Sequence, residues 1–207
     1  FAQALLARRE EGHAQARETM REVTAESSMR WTLAQFGLPD PAPSLVEGAL
    51  QAFFAYEDTH WRVDPAAHAV LQTLADRGLR LGMFSNATHD AFIQRLVDRL
   101  GLRPWLEPAL SSAGIGIRKP DPAVFVPFFE SWNVPPASVV MVGDTLEADV
   151  LGAQRAGMRS VWVRAREDAR QEGSGSGAEA QSPSFVPDLA IDRLADLPKR
   201  LADLDRV

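Results

Sequence analysis

Ser85 and Asn86 follow a short apolar run, at the point where a strand would end. A hydroxyl and an amide at the carboxyl end of a strand suit contacts with a phosphate oxygen, and the backbone N–H groups that follow can also donate. The same residues fit a structural interpretation, in which Ser85 or Thr88 caps the next helix. By itself, this segment leaves both interpretations open.

Lys119 stands directly before Pro120, in the run from Gly116 to Pro122. The proline favours an extended backbone at Lys119, and we expect a helix to start at Pro122 with Asp121 as its N-cap. A lysine held there is a point charge suited to a phosphoryl group. The alternative is a solvated lysine in front of a proline turn.

Asp144 follows Gly143 at the end of a third apolar run. Mg²⁺ takes one or two carboxylates together with phosphate oxygens and waters, so Asp144 suits a direct magnesium ligand. Asp149 lies about one helical turn further on, where it suits the ordering of a metal-bound water or of Lys119. A capping box between Asp144 and Glu147 is the structural alternative.

Strands and helices alternate from residue 65 onward. The patterns predict strands at 79–85, 108–112, 139–143, 160–163 and 189–191, and helices at 65–77, 91–100, 122–132, 146–156 and 193–204. This alternation predicts an α/β fold with a parallel sheet covered on both faces. In such sheets ligands bind at the carboxyl ends of the strands, where the three polar segments lie.

The first 60 residues have a helical pattern, and no strand is predicted before residue 78. Residues 1–36 favour helix with a break at Gly12, and residues 44–58 favour a second helix. On that second helix one set of apolar side chains shares a face at helical spacing: Leu45, Ala49, Ala52 and Phe53. The Gly- and Ser-rich segment 173–183 is predicted to be a surface spacer.

Composition narrows the classes of function. The chain has 207 residues, a formal net charge of −6 and no cysteine. A negative charge without a basic stripe argues against nucleic acid as a partner. No apolar run has the length of a membrane span, and the absence of cysteine fits a reducing cytoplasm. These features leave the oligomeric state open.

The order Ser85, Lys119, Asp144, each after its own strand, closely resembles the second, third and fourth motifs of the haloacid dehalogenase superfamily. The resemblance runs from about residue 62 onward. The Lys-Pro-Asp-Pro and Gly-Asp-Thr contexts resemble its phosphatase-like subfamily with a helical cap. The resemblance implies a helical cap at 1–61, with a remnant of its entry segment, and a Rossmann-like core at 62–207 that lacks its first strand.

The resemblance also implies a Mg²⁺-dependent phosphomonoesterase for a small phosphorylated metabolite. In such enzymes an Asp in an Asp-x-Asp-Gly-Thr type motif forms an aspartyl-phosphate. No such motif precedes residue 60. The acidic residues of the early segment 1–36 lie in helical surroundings rather than at a strand tip: Glu10, Glu11, Glu18, Glu22 and Glu26. We therefore expect the nucleophile upstream of Phe1, and no turnover by the chain as given. Ser85, Asn86 and Lys119 would bind the phosphate, Asp144 the metal, and Asp149 would act behind it.

Two other functions stay open. A dehalogenase of the same superfamily resembles this chain at Ser85 and Lys119, but generally lacks the Gly-Asp of the fourth motif. A non-catalytic module that binds a phosphorylated ligand is the alternative if the nucleophile is truly absent. Four further side chains are candidates for cap or hinge positions near the cleft, or for the cap core: Trp31, Tyr56, His60 and Trp61.

Overall fold

The computed structural model describes residues 1–164 and 185–206. The predicted spacer at 173–183 lies outside these residues. The chain forms two compact units. The first comprises Phe1–Val63 and Met83–Arg118, and the second comprises Asp64–Gly82 and Lys119–Val207.

The first unit begins with three helices: α1 (Ala2–Thr19), α2 (Ala25–Gln35) and α3 (Pro43–His60). Thr24 is the N-cap of α2 and accepts a hydrogen bond from the backbone of Ser27. The helices pack around a core of nine buried side chains: Leu5, Ala25, Met29, Leu33, Val46, Leu50, Phe54, Phe92 and Leu96. As predicted, no strand precedes residue 78 among the described residues.

The predicted break at Gly12 is wrong, because α1 runs through this residue without interruption. Gly12 is buried, and a β-carbon there would lie 2.8 Å from Val23 Cγ1. Glycine is therefore used here for a close approach to the connection that follows α1, although it weakens a helix interior. The chain leaves the helix instead at Met20, which has a left-handed φ of 56°.

The apolar face assigned to α3 is also wrong by one position. Val46, Leu50 and Phe54 are buried, whereas Leu45 is 47% exposed. Ala49 and Phe53 lie at the margin and pack against the core from there. An α-helix with many apolar residues has several overlapping stripes at helical spacing, and only packing against α2 and against the later helix Asp90–Arg99 selects one of them.

The remaining elements of the first unit follow in sequence: most of β1 (Leu81–Ser85), then α5 (Asp90–Arg99), β2 (Leu106–Ser111) and the single turn α6 (Ser112–Ile115). Strands β1 and β2 pair with each other. Phe92 and Leu96 of α5 reach the helical core described above.

The second unit begins with α4 (Ala67–Asp76). It continues with a 3₁₀ turn at Pro122–Phe125, α7 (Val126–Trp132) and a 3₁₀ turn at Pro136–Ser138. Strand β3 (Val140–Gly143) is followed by one turn of π-helix at Leu146–Val150, by α8 (Leu151–Arg155) and by β4 (Arg159–Val163). Strand β5 (Leu189–Ile191), a 3₁₀ turn (Leu194–Asp196), α9 (Leu197–Arg200) and a last 3₁₀ segment (Leu201–Arg206) complete it.

The α/β class is confirmed, but the described strands pair as two sheets rather than one. Strands β3, β4 and β5 form a parallel sheet in that order, and β1 and β2 form a separate pair. Gly143, at the tip of β3, lies opposite Trp162 of β4. The core beneath the three-stranded sheet includes Val70, Val161 and Ile191.

Gly82 is required by the packing of α7. A β-carbon at this position would lie 2.6 Å from Phe128 Cε1 and 2.9 Å from Trp132 Cζ2. The two aromatic rings meet edge to face, with centroids 5.4 Å apart. Within the two described ranges, no helix has both the length and the apolar composition needed to cross a membrane.

Candidate active site at the strand ends

Asp144 is the first residue after β3, at the carboxyl end of that strand. Its Oδ1 accepts a hydrogen bond from the hydroxyl of Thr145 at 3.3 Å. In the alternative of a capping box, Asp144 would be the N-cap, but the N-cap of the next turn is Thr145, which makes no side-chain cap bond.

Lys119 and Asp149 form a buried ion pair. Lys119 Nζ donates to Asp149 Oδ1 at 2.6 Å, and the two side chains are only 7% and 6% exposed. Asp149 Oδ2 accepts from the backbone N–H of Thr145 at 2.9 Å. Both carboxylate oxygens of Asp149 are thus engaged, one by the lysine and one by the residue that follows Asp144.

In the turn after β3, the π-type bond runs from the backbone N–H of Leu151 to the carbonyl of Leu146, whereas Asp149 is held by an i→i−4 bond of α type. The backbone N–H of Asp149 donates to the carbonyl of Thr145 at 2.8 Å, which brings the side chain of Asp149 back over the end of β3. A β-carbon at Gly143 would overlap Asp149 Cγ and Oδ2. Glycine at the strand tip is therefore a requirement of this site, and π-turns are frequent at functional sites.

The segment around Lys119 matches the prediction in part. Asp121 is the N-cap of the helix that begins at Pro122, and its side chain accepts from the backbone of Ala123 at 2.9 Å. The first turn of that helix is 3₁₀, and α-helix follows from Val126. The alternative of a solvated lysine is wrong, because Lys119 is buried against Asp149.

Ser85 and Asn86 lie at the carboxyl end of β1, as predicted. Neither Ser85 nor Thr88 caps the next helix, because the N-cap of α5 is His89 and it makes no side-chain cap bond. The loop after β1 is held instead at Ala87, whose backbone N–H donates to Ser112 Oγ at 2.8 Å.

The predicted side chains fall into both units. Lys119, Asp144 and Asp149 belong to the second unit, and Ser85 and Asn86 belong to the first. Convergence of all five around one phosphate therefore stays a prediction. Within the described residues no three His, Asp or Glu side chains come together as a complete metal cluster. A single carboxylate, Asp144, fits Mg²⁺, which needs only one or two from a protein that also holds a phosphate.

Two polar residues connected to the loop after β1 were not predicted as site residues: Ser112 and Glu22. Glu22, assigned above to helical surroundings, lies in the connection between α1 and α2, where Arg21 forms an isolated antiparallel bridge with Ile117. Ser112 Oγ donates to Glu22 Oε2 at 2.5 Å. The Val-Thr pair that ends at the N-cap Thr24 was the one signal of a break in the helical pattern at this point.

The aromatic candidates are not in the core of the first unit. Trp31, Tyr56 and Trp61 are 44%, 71% and 51% exposed. His60 is exposed as well, and its ring stacks on Tyr56 at 3.8 Å between centroids. The core of the first unit is aliphatic and phenylalanine-based instead.

Comparison with known proteins gives a consistent result. Residues 1–157 match the model of the haloacid dehalogenase-like hydrolase family. The chain is 31% identical over 167 residues to the glyceraldehyde 3-phosphate phosphatase of Methanopyrus kandleri. The matched segment covers 81% of this chain and 66% of that protein. It is 34% identical over 161 residues to the phosphoserine phosphatase of Thermus thermophilus, covering 78% of this chain and 58% of the relative.

A solved structure agrees with these relatives. The 2-haloacid dehalogenase of Pseudomonas syringae superposes with a TM-score of 0.68 at 25% identity, covering 97% of this chain and 80% of that one. The chain thus spans about two thirds or less of the two phosphatases and most of the solved dehalogenase. With a family match over three quarters of its length, the chain belongs to the haloacid dehalogenase-like hydrolases.

Proposed function

We propose that the full-length protein is a Mg²⁺-dependent phosphatase that hydrolyses a phosphomonoester of a small metabolite. The observation that carries this proposal is the buried Lys119–Asp149 pair, tied through Thr145 to Asp144. It combines an ammonium suited to a phosphoryl oxygen with a carboxylate suited to a hard cation. The activities named for two relatives, phosphatases for glyceraldehyde 3-phosphate and for phosphoserine, support the substrate class.

The donors of this chain would bind and orient the phosphoryl group. Lys119 donates from its ammonium, Ser85 from its hydroxyl, and the backbone at Asn86 from its N–H. Asp149 fixes the direction of the lysine, because a 2.6 Å contact holds the ammonium against Oδ1. Positioned donors that oppose developing charge account for most of the catalysis in phosphoryl transfer.

Asp144 would bind the magnesium ion directly. Asp149 would not bind it directly, because both its oxygens already accept hydrogen bonds; it would instead position the groups around the ion. When bound, the ion would neutralise charge on the phosphoryl oxygens. The chain contributes to this by keeping Asp144 at a strand tip, where its orientation is fixed by Thr145.

The nucleophile of this proposal is an aspartate outside residues 1–207, which forms an aspartyl-phosphate that water then hydrolyses. No Asp-x-Asp-Gly-Thr run precedes residue 60. Among the described strands, β1 pairs only with β2, and β3 pairs on one side only, with β4. An unpaired edge on an apolar strand is suited to a further strand. The division into a cap at 1–61 and a core at 62–207 is part of the same proposal.

The test is a phosphatase screen of the full-length protein with and without Mg²⁺. We expect Asp144→Asn to lose most of its activity, because an amide is a poor ligand for Mg²⁺, while its thermal unfolding stays close to wild type. Asp192→Asn, which alters an exposed pair with Arg164, is the matched control and should retain full activity. Full activity in Asp144→Asn would refute the metal assignment.

A dehalogenase is the second candidate, because the solved structure reported above carries that name. Halide release from a 2-haloacid without added Mg²⁺, and no phosphate release, would establish it. Binding of phosphate esters without turnover by the full-length protein would instead support a non-catalytic module. The 207 residues alone are expected to show no turnover, and Mg²⁺-dependent hydrolysis by them would place the nucleophile within this chain.

A further inference from the structure

Glu22 carries a buried carboxylate that is only half satisfied. Its side chain is fully buried, and Oε2 accepts from Ser112 Oγ at 2.5 Å and lies 3.5 Å from Arg118 Nη1. Oε1 is buried too and has no hydrogen-bond partner among the described residues. An unpaired buried acceptor is costly, so the contacts of Oε2 with Ser112 and Arg118 must offset the cost of leaving Oε1 unsatisfied.

Through Ser112, Glu22 reaches the loop after β1. Ser112 Oγ accepts from the backbone N–H of Ala87 at 2.8 Å and lies 3.1 Å from the carbonyl of Ala87. One residue further, the carbonyl of Thr88 accepts from the backbone N–H of Ala25 at 2.7 Å. The Ser85–Thr88 loop, which supplies phosphate donors in the proposed function, is therefore anchored to the connection between α1 and α2.

The same connection holds the segment that leads into Lys119. The backbone N–H of Glu22 donates to the carbonyl of Gly116 at 2.9 Å, and that of Arg118 donates to the carbonyl of Met20 at 3.1 Å. Met20 has a left-handed φ of 56°, a conformation that costs free energy in a non-glycine residue and is found where the surroundings impose it. The Glu22 carboxylate adds the counter-charge to the Arg118 guanidinium.

We propose that Glu22 is a positioning residue, which holds the Ser85–Thr88 loop and the Gly116–Arg118 segment in fixed register through Ser112 and Arg118. The inference rests on the proposed function, because these two segments deliver the phosphate donors Ser85, Asn86 and Lys119. Glutamine could accept from Ser112 equally well. The negative charge is needed for the pairing with Arg118, since its side chain is only 16% exposed and the guanidinium loses favourable interaction when the counter-charge is removed.

Hydrogen exchange and steady-state kinetics on the full-length protein test this with two variants that break different links. Glu22→Gln removes the charge and can keep the bond with Ser112, whereas Ser112→Ala removes the link to Ala87 and keeps the ion pair. We expect faster amide exchange at Glu22 and Arg118 in the first variant, and at Ala87 in the second. Glu47→Gln, which removes an exposed carboxylate of α3, is the control and should change neither.

The kinetic expectation is a fall in kcat of about tenfold to a hundredfold in both variants, with a much smaller change in KM, measured at a temperature at which each variant is fully folded. A structural role alone would lower the melting temperature and leave kcat of the folded fraction intact. Unchanged exchange at all three amides would overturn the proposal, and so would faster exchange with unchanged kcat. If the wild type hydrolyses no phosphate ester, the proposed phosphatase fails, and the exchange data alone decide whether Glu22 fixes the two segments.

Discussion

Lys119 and Asp149 are 30 residues apart in the chain, and their charged groups meet at 2.6 Å with both side chains buried. The pair joins the segment before α7 to the turn after β3, so it ties together the two places in the second unit from which we infer chemistry. Asp149 holds the Lys119 ammonium in place through this contact. The free energy of unfolding of variants at this pair therefore reports whether the site is intact.

Asp149→Asn should destabilise the protein by about 3–5 kcal/mol, because it removes the carboxylate of a buried ion pair while the Lys119 ammonium stays buried. Denaturant unfolding measures the loss. Asp196→Asn removes the carboxylate of an exposed pair with Arg193 and should cost less than about 1 kcal/mol. Equal losses in the free energy of unfolding for the two substitutions would show that the buried pair stabilises the protein no more than an exposed one.

Gly143→Ala should be destabilising, because the new β-carbon would overlap the Asp149 carboxylate and force it off Lys119 and Thr145. Overpacking of this kind costs about 1–3 kcal/mol. Gly48→Ala is the matched control: α3 has open space there, and the substitution should stabilise by about 0.5–1 kcal/mol. Thermal unfolding of both variants measures whether the two changes in stability have opposite signs. Unchanged stability of Gly143→Ala would contradict the close approach of the Asp149 carboxylate to Gly143.

Gly12→Ala should fail to give the gain expected from helix propensity, because Val23 Cγ1 lies 2.8 Å from the new β-carbon. In a Val23→Ala background the same substitution should stabilise by about 0.8–1 kcal/mol, since the obstructing methyl group is gone. A double-mutant cycle in urea measures this coupling. Additive effects would mean that the contact between α1 and the following connection is not restrictive.

Burial lowers the pKa of His89, and the nearby Arg95 lowers it further, against an opposing effect of Asp90. Between the folded pKa and the ordinary value of about 6.5, the unfolded chain binds more protons at this residue than the folded chain. Stability therefore rises with pH across that window and is lost as the pH falls. His89→Gln removes this contribution, so its free energy of unfolding should fall less steeply on acidification than that of wild type.

Urea unfolding over a series of pH values from neutral to mildly acidic, run on both proteins, measures the difference in slope. Histidine NMR titration of the wild type gives the independent check, with an expected midpoint for His89 below the ordinary value. Parallel stability curves for the two proteins, or a midpoint at or above that value, would contradict a half-buried, desolvated ring at the start of α5.

The sequence predicted the α/β class and every described strand to within about two residues, because each strand is a short apolar run bounded by Gly, Pro or polar residues. It also placed Asp144, Lys119 and Ser85 at element ends, since the apolar run, the glycine and the Lys-Pro pair are all local signals. The N-cap at Asp121 followed from the same kind of local chemistry.

Only the tertiary structure showed that Asp149 pairs with Lys119, which face of α3 is buried, and that Gly12 serves packing rather than a break. It also revealed Glu22, whose partners Ser112 and Arg118 lie about 90 residues away and leave no periodic trace in the sequence. Local patterns report backbone preference and hydrophobicity. The pairing of distant charges depends on how elements pack, which no spacing along the chain encodes.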